Sequence, residues 1–197
     1  MGNFWSRYKR NHAAVFGLFV VALIIVMAIT ASFLYPEDPF RLVGKPLSKP
    51  LTNGFLLGSD SLGRDVASGI VHGAKTSLLI GFVATLVSVF IGIFFGAFAG
   101  YFGGLIDDIL MRVTEIFQTI PSFIFAILLV AIMKPSMSSI VIAIAVVSWP
   151  GVARLVRGEF LAVKNREFVQ ACHTLGMSDF RIMLREILPN CLSPIIV

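Results

Sequence analysis

The chain has 197 residues, of which 57% are hydrophobic and 14% charged, with a mean hydropathy of +0.90 and a formal charge of +5. Soluble domains carry about 25% charged residues, so this composition excludes a soluble globular domain and a disordered chain alike. The basic excess does not call for nucleic acid, because cytoplasmic segments of membrane proteins are enriched in Lys and Arg for a reason of their own.

Four stretches lack Asp, Glu, Lys and Arg altogether: residues 11–36, 76–106, 116–133 and 135–153. Each is long enough for a bilayer-crossing helix, which needs about 17–25 residues, and too long for the roughly ten-residue alternating strands of an outer-membrane barrel. The expected fold is therefore an all-α membrane protein, a polytopic helical bundle with four full spans. Residues 1–34 would form a cytoplasmic N-terminus and the first span, and residues 35–75 an external segment. Residues 76–197 would form the core, with helices at 76–104, 111–133 and 135–153, a cytoplasmic loop at 154–188 and the start of a fifth helix at 189–197. The orientation follows from charge: with the N-terminus inside, ten of the sixteen basic residues are cytoplasmic, including Arg7, Lys9 and Arg10 just before the first span.

In the second span Ala84, Ser88, Gly92, Gly96, Gly100 and Gly104 recur at every fourth position. Small residues in this register let helices approach closely in lipid. Each step of four drifts about 40° around a helix, so the row is expected to serve at least two neighbours. At the entrance of the third span, Asp108, Arg112 and Glu115 fall on one helical face as an ion-pair girdle, with Asp107 beside them. Gln118 and Thr119, deeper and just before Pro121, are candidates for lining a pathway. Trp149-Pro150 reads as an interfacial aromatic followed by a kink that ends the fourth span.

No nucleotide-binding loop, metalloprotease or hydrolase motif is present. Gly58-Ser59-Asp60-Ser61-Leu62-Gly63-Arg64-Asp65 carries Arg and Asp where a phosphate loop needs Lys and Ser or Thr. No catalytic residue and no metal site is expected. Cys172 and Cys191 read as free thiols.

The longest hydrophilic stretch on the inside, 154–189, repeats apolar residues with helical period at Phe160, Val163, Phe168, Ala171 and Leu175. A short amphipathic helix over 164–175 would end at Gly176, and a second would begin at Ser178 as N-cap and run to Ile187. Two short helices around a glycine break make a docking knob; the alternative is a helix lying on the lipid interface.

At these residues the chain resembles the membrane subunits of binding-protein-dependent ABC importers, whose cytoplasmic loop reads E-A-A-x3-G-x9-I-x-L-P. Here Gln170-Ala171-Cys172, Gly176 and Leu188-Pro189 stand at that spacing, with Gln170, Cys172 and Glu186 as departures. Residues 57–65 resemble the segment L-G-T-D-x-L-G-R-D of the C-type subunit in the dipeptide, oligopeptide and nickel branch. Arg10-Asn11, Ala99-Gly100-Tyr101-Phe102-Gly103-Gly104, Met111-Arg112, Pro121-Ser122 and Ala153-Arg154-Leu155-Val156-Arg157 also resemble that branch. The resemblance implies a bacterial inner-membrane permease subunit for dipeptides or oligopeptides, with nickel or another small solute as the second choice. It implies no cofactor on this chain, since ATP and magnesium would sit on cytoplasmic ATPase subunits. The implied partners are those ATPases, a homologous second permease subunit, an external solute-binding protein and the lipid bilayer, with no nucleic acid. Glu167, Gln170, Ala171, Leu175, Gly176, Leu188 and Pro189 would form the ATPase-coupling loop, supported by Arg181 and Arg185. The family's C-type subunits have further helices, so the chain is expected to stop two pore helices short. The competing classes are a membrane-anchored interaction protein and an autonomous channel or secondary transporter; for the latter, internal repeats and discontinuous helices with buried charges are expected, and the sequence shows neither repeat nor deep charge.

Overall fold

The computed structural model describes residues 8–52 and 54–191. The described residues are helical, with two isolated bridges in the segment between the first two helices. The order is α1 (His12–Leu34), α2 (Val66–Phe102), α3 (Gly104–Thr119), α4 (Ser122–Met133), α5 (Met137–Val163), α6 (Glu167–Thr174) and α7 (Asp179–Arg181), which passes into a π-helical stretch, Ile182–Ile187. Three helices, α1, α2 and α5, are long and apolar enough to cross a membrane singly; α3 and α4 pass that test only as a pair bent by 82°. The chain divides into two compact units, 1–79 and 80–197.

In the first unit, Asn11 caps α1 by accepting the Ala14 amide at 3.2 Å, satisfying one of the orphan donors of a helix start. The segment after α1 is built on Asp60, whose carboxylate accepts the Leu62 and Arg64 amides, each at 2.8 Å. These bonds, with Arg64 first, hold the Asp60 carboxyl below its ordinary pKa. The segment between the first two helices is shorter than the charge pattern suggested, because α2 begins at Val66 rather than at 76. A charged residue interrupts an apolar count without interrupting a helix. Lys75 donates to Ser32 Oγ at 2.9 Å, and His72 Nε2 lies 2.9 Å from the Tyr35 carbonyl.

In the second unit α2 and α5 pack in parallel through the small-residue row. A Cβ on Gly92 would stand 2.5 Å from Val152 Cβ, one on Gly96 2.7 Å from Val156 Cβ, and one on Gly100 2.6 Å from Phe160 Cβ. All three glycines therefore face α5. The drift around α2 is matched by an equal drift along the Val152, Val156, Phe160 row of α5, so two ridges at the same spacing stay in contact. Ala84 and Ser88 of the same row are buried. Gly104 does not belong to it: α2 ends at Phe102, and Gly103 and Gly104, with φ of 68° and 52°, turn the chain into α3.

In place of the continuous third span expected at 111–133 stand two helices, α3 from Gly104 and α4 from Ser122. Pro121 has no amide hydrogen and pushes the residue before it out of the helical region; Ile120 is extended, with φ −89° and ψ 130°. Both halves nevertheless run back along α5. Asp107 pairs with Arg157, the Phe117 and Trp149 rings are 5.2 Å apart, and Phe123 to Ala131 share a groove with Ile140 and Ile144.

The fourth span does not end at Trp149-Pro150. The α5 helix carries Pro150 in its interior and continues to Val163, so the first ten residues of the expected loop, 154–163, are helix. Proline is tolerated inside membrane helices where neighbours re-satisfy the backbone, and Pro150 is fully buried. Trp149 is 4% exposed between Phe95 and Phe117, which makes it a core residue and not an interfacial one. Of the fifth helix expected at 189–197, residues 188–191 are helical and the remainder lie outside the described residues.

Candidate functional site

Beyond α5 the chain folds into a knob. Arg166, extended at φ −71° and ψ 150°, breaks the helix, and α6 restarts at Glu167, an acid in the first turn where the helix dipole favours it. The end of α6 is closed by three backbone bonds: Leu175 N–H to Ala171 O, Gly176 N–H to His173 O and Met177 N–H to Cys172 O, at 3.0, 3.0 and 3.1 Å. Gly176 has φ +74°, the left-handed conformation that such a terminus needs. Ser178 stands at the N-cap position, but its hydroxyl caps nothing. The Arg181 and Ile182 amides donate to its carbonyl at 2.9 and 3.0 Å.

The inward face of the knob joins the best-buried cluster of this unit. Val169, Ile182, Met183, Ile187 and Cys191 pack with Ala97 of α2 and with Val156, Phe160 and Val163 of α5, while Cys172, Met177 and Leu188 are half-buried against them. The apolar period read across 160–175 is therefore split. Phe160 and Val163 are core, but Phe168, Ala171 and Leu175 face out, because the break at Arg166 resets the helical phase and turns Val169 and Cys172 inward. Of the residues expected on the coupling surface, Glu167, Gln170, Ala171, Leu175, Gly176, Arg181, Arg185 and Pro189 are exposed and Leu188 turns to the core. The exposed face also carries Phe180 and Leu184, which sequence reasoning passed over.

One polar contact ties α3 to α5 and another ties the knob to α2, and neither is visible as a sequence spacing. Arg157 Nε and Nη2 donate to the two Asp107 oxygens at 2.5 and 2.6 Å, a bidentate pair 13% exposed on the acid side. Such charge-assisted forks are the strong class of hydrogen bond. Tyr101 donates its hydroxyl to Asp179 at 2.6 Å, its ring stacks on His173, and its carbonyl accepts Lys164 Nζ at 3.4 Å. The girdle expected from Asp108, Arg112 and Glu115 is reduced to an exposed Arg112–Glu115 contact at 3.4 Å. Asp107, read only as its neighbour, makes the ordered pair.

Gln118 and Thr119 stand at the bend between α3 and α4, apart from the knob's surface. Gln118 is half-buried, and the Thr119 hydroxyl donates back to the Glu115 carbonyl at 3.1 Å. The arrangement as a whole has a buried apolar inner face, an outer face with exposed apolar and charged side chains, and no grouping of three or more His, Cys, Asp or Glu fit for a metal among the described residues.

Residues 92–197 match the family described as binding-protein-dependent transport system inner membrane component, and residues 1–49 match the N-terminal TM domain of oligopeptide transport permease C. The chain is 40% identical over 193 residues to the dipeptide transport system permease protein DppC of Bacillus subtilis (strain 168), covering 98% of this chain and 60% of that protein. It is 42% identical over 200 residues to DppC of Escherichia coli (strain K12), with coverage of 98% and 67%. It is 38% identical over 195 residues to the glutathione transport system permease protein GsiD of Pectobacterium atrosepticum, with coverage of 98% and 65%. The chain thus spans about three fifths to two thirds of the length of these curated relatives.

Proposed function

The chain belongs to the family of binding-protein-dependent transport system inner membrane components, and from that premise we propose that it is a permease subunit of an ATP-driven importer of short peptides. Dipeptide and glutathione permeases stand among its relatives, and glutathione is itself a tripeptide, so short peptides are the class common to both. In this reading the chain forms half of a translocation pathway together with a homologous permease subunit. It receives peptide from an external binding protein and is driven by cytoplasmic ATPase subunits that carry the ATP and magnesium.

The observation that carries the reading is the exposed outer face of the knob. Phe168, Leu175, Phe180 and Leu184 are 37%, 80%, 63% and 46% exposed, and they lie outside the helices that are long and apolar enough to cross a membrane. A patch of this kind over a buried apolar inner face suits a protein partner, and Glu167 and Gln170 at its rim would set the register. The parallel packing of α2 and α5 supports counting α3 and α4 together as one crossing, since the chain must return from the Phe102 end to the level of Met137. Four crossings place the N-terminus and the knob on the same, cytoplasmic side, in accord with the basic residues in both.

Leu175→Asp tests the reading. Leu175 is 80% exposed, so the variant should accumulate in the membrane at the wild-type level. Withdrawing a leucine from an interface forfeits about 1.5–3 kcal/mol, so ATPase subunits should no longer co-purify in mild detergent and peptide uptake should fall at least about tenfold. Full co-purification and uptake with Leu175→Asp would remove the knob as the coupling surface.

A further inference from the structure

Tyr101 packs its ring against the apolar cluster, and its hydroxyl makes contacts that this packing does not require. It is the penultimate residue of α2, and the chain then reverses through Gly103 and Gly104, both left-handed, into α3. Its hydroxyl donates to Asp179 at 2.6 Å and lies 3.5 Å from His173 Nε2. His173 belongs to the last turn of α6 and Asp179 to the first turn of α7, on opposite sides of the Gly176 break. One phenol therefore holds both halves of the knob at once. Lys164, at the junction of α5 and the knob, reaches the Tyr101 carbonyl from the other side.

The remaining attachments of the knob differ in kind. Its covalent link on the N-terminal side runs to α5. The apolar cluster that joins it to Ala97 is non-directional and lets elements slide, whereas a charge-assisted hydrogen bond fixes both distance and angle. The Asp107–Arg157 pair joins α3 to α5 without touching the knob's far half. A displacement of α7 thus reaches the α2–α3 turn in a directed way through the Tyr101–Asp179 bond.

Resting on the permease reading above, we infer that Tyr101 is a positioning residue: it straps the two halves of the knob to the α2–α3 turn, so that movement of the knob drives that turn as well as α5. The partner is the intramolecular carboxylate of Asp179, and the consequence is that coupling efficiency, rather than assembly, depends on the phenol oxygen.

The test uses the complete importer, with its partner permease, ATPases and binding protein, reconstituted in proteoliposomes with a labelled dipeptide. Uptake and phosphate release are measured together. Tyr101→Phe removes only the donor, Asp179→Ala removes the acceptor, and Asp179→Asn retains an acceptor oxygen. Tyr101→Phe and Asp179→Ala should import about tenfold fewer peptides per ATP hydrolysed, the factor that one charge-assisted bond commonly controls, while Asp179→Asn, which keeps a neutral acceptor, should lose clearly less than Asp179→Ala. A parallel fall of uptake and hydrolysis with an unchanged ratio would make the strap merely structural and overturn the inference. So would wild-type coupling in Tyr101→Phe, or an Asp179→Asn as uncoupled as Asp179→Ala. A wild-type complex that imports nothing in response to peptide and ATP would instead overturn the permease reading itself.

Discussion

Gly176 shows how one residue's backbone sets the geometry of the knob's exposed face. Its φ of +74° places it where side-chain-bearing residues are disfavoured by about 1–2 kcal/mol, and nothing lies within 4 Å of the position a Cβ would take. The cost of a substitution there is conformational and not steric. Gly176→Val should therefore leave membrane insertion intact while disturbing the angle between α6 and α7, and ATP-dependent uptake should be lost; normal uptake by that variant would show that the break has no part in coupling. Asp60 shapes the segment between α1 and α2 in a comparable way, through electrostatics. Its carboxyl is held below its ordinary value by the Arg64 and Leu62 amides, so the stabilisation it supplies is complete above the unfolded pKa of about 3.9 and is lost as pH falls through the lower folded value. Amide protection of Leu62 and Arg64 in hydrogen exchange should hold from neutrality down to about pH 4 and collapse only in stronger acid. In Asp60→Ala it should already be low at pH 7, and an unaltered protection pattern would refute the role.

Among the elements, the contact between α2 and α5 is set by what is missing from its surface. The apolar effect gives helices little reason to associate within lipid, so close packing has to come from small residues. At Gly96 an added Cβ would collide with the Ala153 carbonyl and lie 2.7 Å from Val156 Cβ; backbone on one side and a β-branched residue on the other leave no rotamer that relieves the clash. Gly96→Ala should cost about 1–3 kcal/mol of stability, read as a lower unfolding midpoint in detergent. Gly81→Ala, on the same helix with nothing within 4 Å, should be neutral or stabilising. Equal midpoints for the two variants would mean that the glycine row is not the packing seam. The same scale separates Pro121, where the helix breaks, from Pro150, where it continues. The first proline follows Ile120 in extended backbone. The second sits fully buried beside Trp149, within α5, where tertiary packing keeps the helix continuous.

At the scale of the whole chain, membrane class, the number of apolar segments and the knob's glycine-broken form were all legible in residues 11–36, 76–106, 116–133, 135–153 and 164–187. Hydrophobicity and turn chemistry are properties of local sequence, and they add along the chain whatever the packing. The family membership rests on the same kind of information, since motifs such as residues 57–65 and 170–176 are contiguous. Element ends were less legible: Lys75 masked the early start of α2, and Trp149-Pro150 resembled a terminus that is in fact core. What only the tertiary structure decided is which residues meet. The Asp107–Arg157 pair spans 50 residues and the Tyr101–Asp179 bond 78, and Gly92, Gly96 and Gly100 face α5, which carries a matching ridge. These pairings depend on how helices lie against one another, and the outward turn of Phe168 and Leu175 depends on the phase reset at Arg166. A periodicity read along one segment holds no information about either.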